Sequence, residues 1–340
     1  MKRYLLPEGG QFYKANLHCH TNYSDGKFSP QEVKDIYVKD GYSIIAYTDH
    51  ELFVPHPELR DEHFLPLNAV EMDITEHIPV GSNKFNKRTC HLCMIALEED
   101  TAIQPCWHRT KYASWNENLK RHNPEVKFDE NEPDYERIYT VRGINDMIRR
   151  YREAGFYVTY NHPIWSLELP EDYLRYTGMN AMEIYNHSSY HVVGCDEYVP
   201  HIYDAFLRLD QRISAVATDD NHSEKDVCGG YVMIKAPALE YRTVTKALEA
   251  GDFYASNGAE IKSLWFEDGK IHVECAPAAR ITYNCAYRHN KAVTCAEGTL
   301  TEAVFDVSPE DKFVRITVVN KDGKFAHTNA YFTDDLFAEA

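Results

Sequence analysis

The chain has 340 residues, 44% of them hydrophobic, and its 53 acidic against 36 basic side chains give a formal charge of −17. That length can bury a large core and exceeds what one compact domain usually needs, so a large domain and a smaller one are expected. The acidic balance argues against nucleic acid polymers as partners, because non-specific binding to them rests on neutralising phosphates with Lys and Arg. No apolar stretch approaches the roughly 18 residues of a membrane helix, and MKRYLLPEGGQFYK has polar residues where a signal peptide has its apolar centre. A cytoplasmic protein without a membrane partner follows. The nine Cys are odd in number and scattered, and Cys90 with Cys93 lacks the second pair of a zinc ribbon, so they read as reduced core residues.

Strand and helix signals then alternate along the chain. NLHCH is followed by Ser29, Pro30 and Glu32, which suit an N-cap, a first helical position and a capping-box partner, and the pattern predicts a helix from Pro30 to Asp40. SIIAYT, LPLNAVE, HLCMIAL, FYVTYN, AMEIYN and ISAVAT are short and rich in apolar or β-branched residues, so with the first run they make seven strands. Ile144, Met147, Ile148 and Tyr151 before Gly155, and Tyr203, Phe206 and Leu207, recur at helical spacing between them. This is the pattern of an α/β fold with a parallel sheet or barrel. Residues 98–137 are too long and irregular for an ordinary loop and read as a functional or partly helical insertion. A last helix carries Val244 and Leu248. After it, SLWF, KIHVECA, RITYNCAY, EAVFDV, FVRITVVN and TNAYFT, with EDGK and KDGK as turns, predict an all-β tail over 259–340, suited to a small sandwich.

Most of these strand runs close on a residue that binds metals. His18 and His20 lie in NLHCHT, Asp25 in YSDG, His50 in AYTDH, Glu71 in LNAVE, His91 in TCHLCMIA, His162 in VTYNHP, and Asp220 and His222 in AVATDDNH. Imidazole with carboxylate is the ligand set of Zn, Mn or Fe rather than of Ca or Mg. Residues i and i+2 of a strand share a face, so His18 and His20 can address one cavity while Cys19 points away. Asp49 and Asp219 adjoin ligands and read as residues that orient an imidazole or cap a helix. If three divalent ions meet three carboxylates, the site is locally about +3 inside an acidic protein and favours a small anion.

The order HxH, SDG, TDH, a strand-final Glu, a His before an apolar strand, NHP and DxH resembles the PHP family, named for polymerase and histidinol phosphatase domains, over residues 15–257 within a domain of 1–258. The resemblance implies a distorted seven-stranded (β/α) barrel, two to three ions of Mn, Zn or Fe, and hydrolysis of phosphate esters. It implies that His18, His20, Glu71 and Asp220 hold one ion, that Glu71 bridges to a second held with His91 and His162, and that Asp25, His50 and His222 hold the third. The insertion and the β tail have no counterpart in the minimal family pattern.

A hydroxide bridging two such ions beside Glu71 is the expected nucleophile, since a divalent ion lowers the pKa of water toward ~7. His187, just past the strand in EIYNHSSYH, is the candidate general acid. Lys84, Lys87 and Arg88 before His91, and Arg109 among Trp107, His108, Lys111, Tyr112 and Trp115, are candidates to grip a phosphate. The expected substrate is a mono- or diester of a small phosphorylated metabolite or nucleotide, and homo-oligomerisation stays open. Two alternatives stand beside this reading: a hydrolase of amides or lactones using the same ions, and a non-catalytic scaffold whose β tail does the binding.

Overall fold

The computed structural model describes residues 2–338 apart from 80, 82, 113–121, 123 and 124. A short strand, β1 (Arg3–Tyr4), precedes the seven strands that the apolar runs predict: β2 (Gln11–Asn16), β3 (Tyr42–Tyr47), β4 (Leu65–Thr75), β5 (Thr89–Ala96), β6 (Phe156–Tyr160), β7 (Ala181–Asn186) and β8 (Ser214–Thr218). These seven lie side by side in chain order. All neighbouring pairs are parallel except β4–β5 and β5–β6, so β5 alone runs backwards. Its beginning therefore lies beside the ends of the other strands.

Helix α1 (Pro30–Lys39) starts on the expected capping box between Ser29 and Glu32 and buries Val33 and Tyr37. Helix α2 (Val141–Glu153) buries Ile144, Met147, Ile148 and Tyr151, each worth roughly 1.5–3 kcal/mol when removed from water. Helices α3 (Pro200–Arg208) and α4 (Tyr241–Ala250) complete the cover, the latter ending on Gly251 in the left-handed conformation. Among the described residues no helix is long and apolar enough to cross a membrane.

The seven strands do not close into the barrel implied by the resemblance. The free edge of β2 is taken by β9 (Tyr231–Ala236), which runs antiparallel to it, and β10 (Phe253–Ser256) continues the sheet beyond β9. With that edge occupied, β2 has no ladder to offer β8. The gap is bridged at the ligand-bearing end, by an isolated parallel bridge between Cys19 and Asn221, by the Asp220 N–H donating to the His18 carbonyl at 3.0 Å and by the Asp219 N–H donating to Asn16 Oδ1 at 3.1 Å. Ala15, Ala46, Ala69 and Ala181, with Leu17, Leu67 and Val216, fill the interior below.

The tail is built of β11 (Ile261–Glu267), β12 (Lys270–Ala278), β13 (Arg280–Cys285), β14 (Lys291–Thr294), β15 (Leu300–Asp306), β16 (Phe313–Val319), β17 (Phe325–Thr328) and β18 (Tyr331–Phe332). β1 joins β11, β12 and β15 in a four-stranded sheet, whereas β13, β14, β16 and β17 extend the large sheet through the antiparallel pair β10–β17. Leu264, Ile271, Val273, Ile281, Tyr283 and Ile316 pack between the two layers. The β-rich region expected over 259–340 is thus present, but it borrows β1 and is hydrogen-bonded into the larger sheet.

At that joint lies His327, 3% exposed. Its Nδ1 is 3.1 Å from Arg315 Nη1, which can only donate, so Nε2 carries the proton and donates to the Tyr198 hydroxyl at 2.8 Å. Burial, reinforced by the Arg315 charge, holds this imidazole well below its ordinary pKa of 6.5. The folded protein keeps it neutral while the unfolded chain takes up a proton below 6.5, so its contribution is present above that pH and lost as pH falls. A stability loss approaching ~1.4 kcal/mol per pH unit below 6.5 is expected from this group. Chemical denaturation between pH 7 and 5 should show a flatter profile in His327→Asn, and an unchanged slope would refute the assignment.

Candidate metal centre

All nine candidate ligands converge at one end of the sheet. His18, His20, Glu71 and Asp220 form a buried group; His20 also joins Asp25, His50 and His222; and His50 meets Glu71 and His91. His91 reaches the cluster because β5 is reversed, and its register partner is Asp73, two residues past Glu71. His162 Nε2 lies 3.4 Å from Glu71 Oε1 and 3.8 Å from Asp220 Oδ2. The residues implied for the first ion form one group and those implied for the third lie together with His20; of those implied for the second, Glu71 lies beside both His91, at 3.1 Å, and His162, at 3.4 Å, while His91 also clusters with His50, and His162 with His18 and Glu183.

Local geometry explains the residue types. Asp220 sits at φ 52°, a left-handed conformation that Asp tolerates better than most residues, and this bend turns its carboxylate inward. Its neighbour Asn221 faces the other way and donates to the His20 carbonyl at 3.2 Å. Gly26 of the SDG turn passes so close to His20 that a Cβ would stand 2.5 Å from the His20 carbonyl oxygen, so the loop carrying Asp25 needs glycine there. Asp49 and Asp219 point away from the cluster. Asp49 accepts from the N–H and hydroxyl groups of Thr21 and Ser24, and Asp219 accepts from Tyr37 and from the N–H groups of Cys228, Gly229 and Gly230.

The donor set fits divalent ions. Nε2 of His18 lies 3.2 Å from Glu71 Oε1 and from Asp220 Oδ1, and Nε2 of His20 lies 3.2 Å from Glu71 Oε2 and 3.0 Å from Asp220 Oδ1. Ligand atoms that share an ion about 2.1 Å away stand roughly 3.0–3.4 Å apart. Glu71 Oε2 is buried without a hydrogen bond although His50 Nδ1 is 3.0 Å away, which is how two ligands of a common ion sit. His20 packs against both His50 and His222, with ring centroids at 4.4 and 4.5 Å. Burial opposes a charge on His20, but Asp220 and Glu71 lift its pKa to about 10, and Glu71 likewise lifts His162 to about 9. Burial prevails at His50 and pushes it down to about 4. Ions must displace the protons on His20 and His162, so affinity for them rises with pH.

One important residue escapes the sequence reading. Glu183, wholly buried in β7, accepts from His18 Nδ1 at 2.7 Å and so leaves Nε2 to face the cluster. It is held by the Thr218 hydroxyl at 2.6 Å, by the His162 N–H at 3.0 Å and by Asn186 Nδ2 at 3.0 Å. Asn161 similarly steadies Glu71, donating to Oε1 at 2.9 Å. The available signal for Glu183 was an ionisable residue in the middle of the apolar run AMEIYN.

The candidate acid and phosphate grips are placed elsewhere. Asn186 faces the cluster, donating to Asp220 at 3.1 Å, and a register shift in β7 between Glu183 and Tyr185 breaks the alternation, so that His187 lies with Tyr185, whose hydroxyl meets His187 Nδ1 at 2.8 Å. His187 stacks on His191, and burial lowers its pKa to about 4, which leaves it without a proton to give near neutrality. Arg88 is engaged by Glu76 and Asp172 and lies over Tyr139. Arg109 ties the insertion together through Asp134 and the carbonyls of Glu130 and Glu132. Lys87 is half-buried beside Arg88, while the Lys84 side chain and Trp115 lie outside the described residues.

Fold and site together define an α/β protein with a buried imidazole–carboxylate cluster suited to several divalent ions. No family model matches the chain. The DNA polymerase/3'-5' exonuclease PolX of Bacillus subtilis (strain 168) is 37% identical over 68 residues, 20% of this chain, and the match spans only 12% of that relative's length. A solved two-domain protein from Bacteroides vulgatus ATCC 8482, described as containing a predicted PHP-like metal-dependent phosphoesterase, is 14% identical, covering 97% of this chain and 98% of its own, with a TM-score of 0.45. A solved amidohydrolase from Chromobacterium violaceum is 17% identical over 63% of this chain and 89% of its own, with a TM-score of 0.38. The resemblance to the PHP family rests on the order of the candidate ligands from His18 to His222.

Proposed function

We propose that this protein is a metal-dependent phosphoesterase of PHP type that hydrolyses a phosphate mono- or diester of a small metabolite or nucleotide. The observation that carries the reading is the convergence of six imidazoles and three carboxylates in one cluster, with Glu71 Oε2 buried and without a hydrogen bond among them. Two or three ions of Mn, Zn or Fe, when bound, supply Lewis acidity and bring the pKa of water toward ~7.

The chain contributes position. Glu183 holds His18 in one tautomer, Asn161 fixes one oxygen of Glu71, and Asp49 and Asp219 pin the loops that carry Asp25, Asp220 and His222. Asp25 and His222 remain 39% and 34% exposed in their side chains, whereas His18 and His20 are fully buried, so a small anion enters from the Asp25 side. Arg88, Arg109 and Lys27 are each paired with a carboxylate, which leaves charge neutralisation on the phosphate mainly to the ions. The net charge of −17 keeps polyanionic partners away from the surrounding surface.

Elemental analysis of protein purified without added metal, followed by phosphate release from a panel of mono- and diesters with Mn, Zn and Fe, tests the reading. Bound transition metal and release inhibited by vanadate are expected. Absence of metal together with hydrolysis of carboxylic amides or lactones alone would overturn it.

A further inference from the structure

The turn after β6 carries a feature that metal binding does not use. Pro163 to Ser166 is fastened on three sides: the N–H groups of Ile164 and Trp165 donate to the buried Glu197 at 3.3 and 2.8 Å, the Ser166 hydroxyl meets His162 Nδ1 at 3.1 Å, and the Ser166 carbonyl accepts from Thr89 at 3.1 Å. The half-buried Trp165 is thereby held against the cluster. Its indole lies edge-on to His91 and to His162, with centroids 5.3 and 5.0 Å away and planes at 66° and 81°. Ile164 and Leu167, 37% and 48% exposed, make the same rim apolar. A rigid backbone that keeps a large aromatic surface partly in water, in contact with two ligand imidazoles, is a pre-organised wall for the organic part of a bound anion.

We infer that Trp165 is a specificity-determining residue and that the substrate is a phosphate ester whose alcohol part carries a flat aromatic or heteroaromatic ring, which packs on the indole while the phosphate faces the cluster. The inference rests on the phosphoesterase reading above. The reaction is hydrolysis: water adds to phosphorus, the P–O bond to the ring-bearing alcohol breaks, and the alcohol leaves with a proton. Trp165 takes part in none of these bond changes and acts through binding alone.

The test compares wild type with Trp165→Ala and Trp165→Phe, each loaded with manganese and checked for metal content. For phenyl phosphate, Trp165→Ala is expected to lose about tenfold in kcat/KM, the size of one ring-stacking contact, with most of the loss in KM. For ethyl phosphate the loss is expected to be several-fold smaller, and Trp165→Phe recovers much of the phenyl preference. Calorimetry with phenylphosphonate and methylphosphonate, which are not hydrolysed, reads the same preference as binding. Equal losses for both esters and both phosphonates, or loss of metal in Trp165→Ala, would assign Trp165 to packing and overturn the inference. If no ester is hydrolysed, the phosphoesterase reading fails, while the phosphonate pair still decides whether Trp165 recognises a ring. Should Trp165→Ala not fold, Trp165→Leu supplies the same comparison without the aromatic face.

Discussion

Glu71→Gln is expected to lose most of its bound metal and at least about 10²-fold in ester hydrolysis, while its fold survives. Both oxygens of Glu71 are committed. Oε1 faces His91 at 3.1 Å, His18 at 3.2 Å and Asn161 at 2.9 Å, and Oε2 faces His50 at 3.0 Å and His20 at 3.2 Å. An amide keeps the shape but replaces one lone-pair donor by an NH2 group, which cannot serve an ion, and it removes a negative charge that offsets the charge of the ions. The fold is spared because Glu71 is buried and its ionised form pays a desolvation cost that Gln avoids. Elemental analysis, phosphate release and thermal melting measure the three outcomes separately. Wild-type metal content in the variant would remove Glu71 from the ligand set.

The second large effect is expected away from the ligands. Arg137, at the end of the insertion, forms a two-pronged ion pair with Glu51, both side chains at most 5% exposed, and donates to the Asp73 carbonyl at 2.7 Å. Glu51 follows His50, sits at φ 71°, and its N–H donates to the Glu71 carbonyl at 2.9 Å. Gln104 of the insertion also holds the Glu51 carbonyl at 2.9 Å. The insertion thus clamps the segment that presents His50. Arg137→Met leaves a buried carboxylate without its partner, which costs about 3–5 kcal/mol. Denaturant unfolding should show that loss, with Arg137→Lys recovering only part because an ammonium cannot form the fork. Arg137→Met combined with Glu51→Met should recover much of it. A single variant within about 1 kcal/mol of wild type would contradict the clamp.

The convergence of the nine candidates was legible because each signal is local: a metal-binding residue type at the end of a strand run, repeated from His18 to His222. Orientation was legible where alternation applies, as for His18, Cys19 and His20. Parity fails for His187, because β7 shifts register between Glu183 and Tyr185 and both Glu183 and Asn186 face the cluster. Arg88 and Arg109 read as phosphate grips because their neighbours in sequence are cations and aromatics, while the carboxylates that engage them lie outside those runs: Glu76 12 residues before Arg88, Asp172 84 residues after it, and Asp134 25 residues after Arg109. Glu183 was hidden for a similar reason, since its partners His18 and Thr218 lie on other strands. Strand existence followed from composition, but pairing did not. Nothing in the run YVMIKA distinguishes an edge partner of β2 from any other half-buried strand, and that pairing decides whether the sheet closes.

The antiparallel seam between β10 and β17 makes the region of the candidate ligands and the C-terminal region one hydrogen-bonded fabric. Cutting the chain at residue 258 would uncover the backbone of β10 as a raw sheet margin and part Tyr198 from His327. The tail therefore behaves as a selvedge that finishes the weave bearing the ion-binding mouth, and damage to either part is felt as unravelling of both.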